Sequence, residues 1–122
     1  MNKNFIVGAV VVVLILITGG VLWSQVQAGK LDSFAQCLGD KGVTFYGAFW
    51  CPHCQNQKAL FGKSEKLLPY VECSTPDGKG QLQVCIDEQI TSYPTWEFAD
   101  GERLTGEIPL VTLAEKSGCG LL

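Results

Sequence analysis

The alternation of apolar and polar positions divides the chain into one long uniform stretch and a series of short patterned ones. From position 5 to 23 the run FIVGAVVVVLILITGGVLW carries no charge. At 1.5 Å rise per residue, a helix of that length crosses a hydrocarbon layer roughly 30 Å thick. It predicts a transmembrane helix over residues 1–24, with Trp23 as an interfacial aromatic anchor. A cleaved secretory signal is the competing reading, because Val26-Gln27-Ala28 before Gly29 offers small residues for processing. The apolar run, however, exceeds the usual signal core of roughly 7–15 residues. Lys3 and the amino terminus are the only positive charges before the span. The amino terminus is therefore expected in the cytoplasm and the rest of the chain outside it, on a single-pass protein of the cell membrane.

Residues 25–30 are polar and glycine-containing, a linker to a domain over 31–122. Leu31, Phe34, Ala35 and Leu38 recur at helical spacing, which predicts a helix over 31–38 with Asp32 or Ser33 capping its start and Gly39 ending it. Residues 43–49 are β-branched and aromatic, a buried strand. Residues 55–68 give a long helix with Ala59, Leu60, Phe61 and Leu67 apolar, and Pro52 suits a first helical turn. A second strand over 69–73, a turn-rich loop over 74–80 and a short helix over 82–90 follow. Strands over 93–99 and 102–105 flank Asp100-Gly101, whose glycine supplies the positive φ of a tight hairpin. A helix over 109–117 closes the domain. The order α, β, α, β, α, β, β, α predicts an α/β fold, a sheet flanked by helices.

Charge narrows the function. After the span, eight Lys/Arg face twelve Asp/Glu with no basic cluster, so nucleic acid is not an expected partner. Six cysteines in so short an exported segment predict a disulfide framework supporting a small core.

The chemistry concentrates at Cys51-Pro52-His53-Cys54. A Cys-x-x-Cys on the first turn of a helix that follows a strand has two assets. The helix N-terminus stabilises a thiolate, and the spacing lets the sulfurs close a disulfide. Cys51 is expected near the surface as the nucleophile, with Cys54 one turn further in to resolve a mixed disulfide. His53 can lend a charge or a hydrogen bond to the Cys51 thiolate, making it a better leaving group. Half of a zinc site or a plain structural bridge is the alternative reading of the pair. A zinc site needs further paired ligands, whereas Cys37, Cys73, Cys85 and Cys119 stand singly and His53 is the only histidine. Neither a metal nor another cofactor is expected.

The segment Phe49-Trp50-Cys51-Pro52-His53-Cys54, with a strand before it, a helix after it and Tyr93-Pro94-Thr95 some forty residues on, resembles the thioredoxin superfamily over nearly everything after Leu31. The resemblance implies a thioredoxin-like fold with a central mixed sheet. It also implies a cis Pro94 against the redox pair and a backbone at Tyr93 that pairs with substrate. Pro52-His53 is the dipeptide of the oxidising DsbA-type branch, at roughly −120 mV against roughly −270 mV for thioredoxin. Six residues before Cys51, where thioredoxins keep a buried carboxylate, this chain has Phe45.

A more specific resemblance lies in TFYGAFWCPHCQNQKALFG, YVECSTPDGKGQLQVC and ITSYPTWEFADG. These are similar to the thioredoxin-like domain fused to, or accompanying, bacterial and plastid homologues of vitamin K epoxide reductase. That resemblance implies electron flow from exported proteins with cysteine thiols, through the domain, to a vitamin K epoxide reductase-like membrane protein and on to quinone. With one span in this chain, the acceptor is expected to be a separate protein. For Cys37, Cys73, Cys85 and Cys119, taken as structural, three connectivities are open. Closing the loop between Cys73 and Cys85 would remove roughly 3 kcal/mol of unfolded-chain entropy. The resemblance implies that pair together with Cys37–Cys119. An exposed Cys73–Cys85 pair relaying electrons is the alternative.

Trp50 is expected on a substrate-receiving rim with Tyr93, Trp96 in the core, and Glu97, Asp100, Glu102 and Glu107 on a solvated face. The expected function is that of a membrane-anchored thiol–disulfide oxidoreductase that oxidises exported dithiols. A reductase or isomerase fed by a transmembrane donor runs the same chemistry in reverse. A non-catalytic, disulfide-stapled binding module is the reading from a different class.

Overall fold

The computed structural model describes residues 2–25 and 29–121, without the side chains of residues 21–25. Most of the expected linker, the candidate processing site at Val26-Gln27-Ala28 and the side chain of Trp23 lie outside the described residues. Helix α1 spans Lys3–Gln25. Its described side chains are exposed, and its length and apolarity are compatible with a membrane anchor or a signal sequence.

The domain begins with α2, Asp32–Asp40. Asp32 stands inside the first turn and accepts from the Gly29 amide at 2.9 Å. Gly39 stays helical rather than ending the helix, and the chain reverses at Gly42, where φ is +75°. Strand β1, Thr44–Gly47, leads into α3, Pro52–Ala59. Next come β2, Tyr70–Glu72, and α4, Gln83–Asp87. Strands β3, Thr95–Glu97, and β4, Arg103–Thr105, precede α5, Leu110–Ser117.

The single sheet has the order β2-β1-β3-β4. β1 runs parallel to β2 and antiparallel to β3, and β3 is antiparallel to β4. This is a mixed sheet with flanking helices, consistent with a thioredoxin-like fold. Gly101, at φ +84°, makes the expected hairpin.

The alternation of β1 divides the core between two faces. Phe45 joins Phe34, Leu38, Phe61, Trp96 and Leu113 in the larger cluster, while Tyr46 joins Cys73, Cys85 and Ile90 in the smaller. Phe45 and Trp96, directly opposed across the ladder, stack at 4.4 Å. Burying a ring of this size contributes roughly 1.5–3 kcal/mol.

The long helix expected over 55–68 is two pieces. α3 stops at Ala59, and a 3₁₀ helix occupies Gly62–Leu67. Phe61 is the cause on one side, because it stacks on Phe34 at 5.8 Å in the core. Gly62 is the cause on the other, with a φ of +54° that an α-helix does not contain. The break brings Ser64 inward, where its hydroxyl accepts from the Leu31 amide at 3.0 Å.

A candidate active site at the start of α3

Cys51 is the N-cap of α3 and Pro52 its first residue, so the strand-to-helix turn places the first sulfur at the positive end of the helix. Cys51 Sγ accepts from the Cys54 amide at 3.4 Å and lies 3.8 Å from the Tyr93 carbonyl. Both cysteines are free thiols. Cys54 is enclosed, at 1% exposure; Cys51, expected near the surface, is only 5% exposed. Its neighbours Phe49 and Trp50 are each half exposed.

The two thiols are chemically unequal. Burial, and then the hydrogen bond with Cys51, push the Cys54 thiol up to about 12, with Lys58 acting in the opposite sense. Cys51 differs in its surroundings, with the Cys54 amide N–H aimed at its sulfur at the N-cap of α3.

The Tyr93–Pro94 peptide bond is cis, and Pro94 is fully buried. Tyr93 meets Trp50 edge-on at 6.1 Å, and its hydroxyl accepts from Gln81 at 2.8 Å. Between Trp50, Tyr93 and residues 78–81 lies an open groove of about 450 Å³. The far wall of that groove is held by a disulfide between Cys73 and Cys85. That loop presents Ser74 to the Trp50 indole N–H at 2.9 Å. Cys73 and Cys85 are both 0% exposed, so they do not form the exposed pair that the alternative relay reading requires. The second disulfide joins Cys37 to Cys119.

No family model matches the chain. It is 47% identical over 94 residues to the thiol-disulfide oxidoreductase LTO1 of Arabidopsis thaliana, covering 73% of this chain and 24% of that protein. It is 33% identical over 84 residues to the thioredoxin domain-containing protein 5 homolog of Drosophila melanogaster, covering 59% of this chain and 19% of that protein. These similarities support a relationship to the thioredoxin superfamily. The first similarity supports a thiol–disulfide oxidoreductase. The chain spans about a quarter or less of the length of these curated relatives.

Two features of the site were not visible in the pattern of the sequence. Gln57, on the polar helix α3, is 0% exposed. Its amide donates to the Ile108 carbonyl at 3.0 Å and accepts from the Ile108 amide at 2.6 Å, which clamps the segment before α5 against the active helix. Glu107, read as part of a solvated face, accepts from His53 Nδ1 at 2.7 Å and from Asn56 at 3.0 Å. His53, expected beside the Cys51 sulfur, thus has a carboxylate as its partner, on a side chain 70% exposed. Trp50 is half exposed and Trp96 is buried in the core.

The hydrogen bonds from Asn56 and His53 hold the Glu107 carboxyl below its ordinary value. A depressed carboxylate adds stability above its unfolded pKa and loses it as pH falls through the folded one. Glu107→Gln is therefore expected to lower the melting temperature slightly at pH 7 and to have no effect once acid has protonated the carboxyl. Paired thermal melts over a pH series from neutral into acid check this. A deficit that stays constant across the whole series would mean that packing, not charge, explains it.

Proposed function

We propose that the domain is a membrane-anchored, extracytoplasmic oxidase of protein dithiols that works through Cys51 and Cys54. Its proposed reoxidant is a quinone-linked membrane protein resembling vitamin K epoxide reductase. The observation that carries the redox reading is the Cys51 sulfur at the N-cap of α3, receiving the Cys54 amide at 3.4 Å with a buried second thiol one turn behind. A client thiolate attacks Cys51 Sγ of the Cys51–Cys54 disulfide, and Cys54 leaves and takes up a proton. The client's second thiolate then attacks its own sulfur in the mixed disulfide, and Cys51 departs as a thiolate held by the helix amide. Two electrons pass from client to domain. An extended client segment fits beside Tyr93, in the groove under Trp50. Membrane attachment rests on the length and apolarity of α1, and the outward orientation on Lys3.

Direction is the part that potential decides. For the full chain in detergent, equilibrated in glutathione buffers, the Cys51–Cys54 pair is expected to titrate between roughly −120 and −180 mV. A midpoint near roughly −270 mV would replace oxidation with reduction or isomerisation fed by a transmembrane donor.

A further inference from the structure

Behind the redox pair, β1 has no side chain at its last residue, and that gap is filled from two other elements. A Cβ on Gly47 would lie 3.0 Å from Cys54 Sγ, 2.8 Å from Tyr70 Cε2 and 3.4 Å from Tyr70 Oη. The buried thiol and the phenol of β2 therefore occupy the same small space. Tyr70 donates to Glu72 Oε2 at 2.8 Å, and Lys58 Nζ stands 3.5 Å from the centre of the Tyr70 ring. Lys58 follows Cys54 by four residues on α3, which puts both on one helix face.

Whenever Cys54 attacks a mixed disulfide, or leaves as the sulfur of a broken one, it must carry negative charge. With its thiol pushed up to about 12 by burial, the ionised fraction at pH 7 is on the order of one in 100,000. Phe45 stands where thioredoxins have a buried carboxylate to act as base. The nearby carboxylate, Glu72, is already engaged by Tyr70, by the Ser74 amide at 2.8 Å and by the Phe49 amide at 3.2 Å. The groups facing Cys54 are Cys51 and Lys58 from α3, Tyr70 backed by Glu72 from β2, and Tyr93 from the segment before β3. His53 is paired with Glu107. Among these described groups, Lys58 is the cation.

Resting on the redox reading above, we propose that Lys58, seated on the Tyr70 ring, supplies the positive charge that stabilises the Cys54 thiolate, and that the aromatic ring of Tyr70, not its hydroxyl, is the positioning group that holds it there. In the resolving step Cys54 gives its proton to water and its thiolate attacks Cys51 Sγ. The Cys51–Cys54 bond forms, the bond from Cys51 to the partner sulfur breaks, and the partner leaves as a thiolate. In the reverse direction the same charge stabilises Cys54 as the leaving group.

The full chain, with Cys51 and Cys54 reduced and the other disulfides intact, is mixed with dithiobis-nitrobenzoate in a stopped-flow instrument. Release of the first coloured thiolate reports attack by Cys51, and release of the second reports displacement by Cys54. Lys58→Met is expected to leave the first phase within about twofold. It should slow the second about tenfold at pH 7 and move its pH profile up by about one unit. Lys58→Arg should restore most of the rate, and Tyr70→Phe, which keeps the ring, should stay within about threefold of the parent. Lys58→Gln gives the same reading if the Met variant does not fold. An unchanged second phase without the lysine charge overturns the proposal. So does a Tyr70→Phe variant as slow as Lys58→Met, which would give the role to the phenol and Glu72. A parent chain that releases only one equivalent defeats the redox reading itself, a separate result.

Discussion

Replacing Cys51 with serine is expected to cut thiol–disulfide exchange by about a thousandfold or more while leaving the fold as stable as before. Stability is spared for a local reason. Cys51 is the N-cap of α3, and its side chain accepts from the Cys54 amide. Serine, among the preferred N-caps, can accept the same N–H. Cys54→Ser has a different signature. It leaves the nucleophile and removes the sulfur that clears a mixed disulfide, so complexes with clients or with the reoxidant should accumulate. Acid quenching of cells, alkylation and non-reducing electrophoresis would display them as bands that collapse on reduction. If Cys54→Ser captures nothing, the shuttle between client and membrane partner is not how the domain works.

The second large effect is on stability. The Cys37–Cys119 bond spans 82 residues and the Cys73–Cys85 bond spans 12. On the chain-entropy account, closing loops of those lengths contributes about 4.5 and about 2.8 kcal/mol respectively. A domain of this size has roughly 5–15 kcal/mol in total. Changing both Cys37 and Cys119 to alanine is therefore expected to lower the melting temperature by roughly 20–30 °C. The Cys73/Cys85 double variant should lose less in the melt but more in function, because its loop carries Ser74 to the Trp50 indole. Urea unfolding of both variants, with the redox pair held reduced, measures the difference. Equal losses would show that loop length is not what sets them.

What the sequence disclosed follows the range of each interaction. Apolar patterning is local, so it located the strands and the helices other than the one after Cys54, and Asp100-Gly101 announced its hairpin through one glycine. The helix after Cys54 was misjudged because its apolar spacing continues through Phe61 and Leu67. Only the pull of Phe61 toward Phe34 and the positive φ at Gly62 divide it. Polar contacts between distant residues leave no periodic trace. Gln57 with Ile108 and His53 with Glu107 each join residues more than fifty apart. Lys58 over Tyr70 depends on β2 lying parallel beside β1. A glutamine in an otherwise polar helix and a glutamate beside a hairpin look like surface until the fold brings them together.

The Cys37–Cys119 closure also has a history. A chain synthesised from its amino terminus presents Cys37, Cys51, Cys54, Cys73 and Cys85 before the cysteine that Cys37 must find. During that interval five thiols are free to choose wrongly among themselves. The correct partner becomes available only when α5 has been made and has docked its Leu113 into the core. Each new copy therefore passes through a stage in which it is itself a reduced polypeptide awaiting oxidation. If the domain is a maker of disulfides, newly made molecules depend for their maturation on molecules finished earlier, and the activity is inherited from one generation of protein to the next.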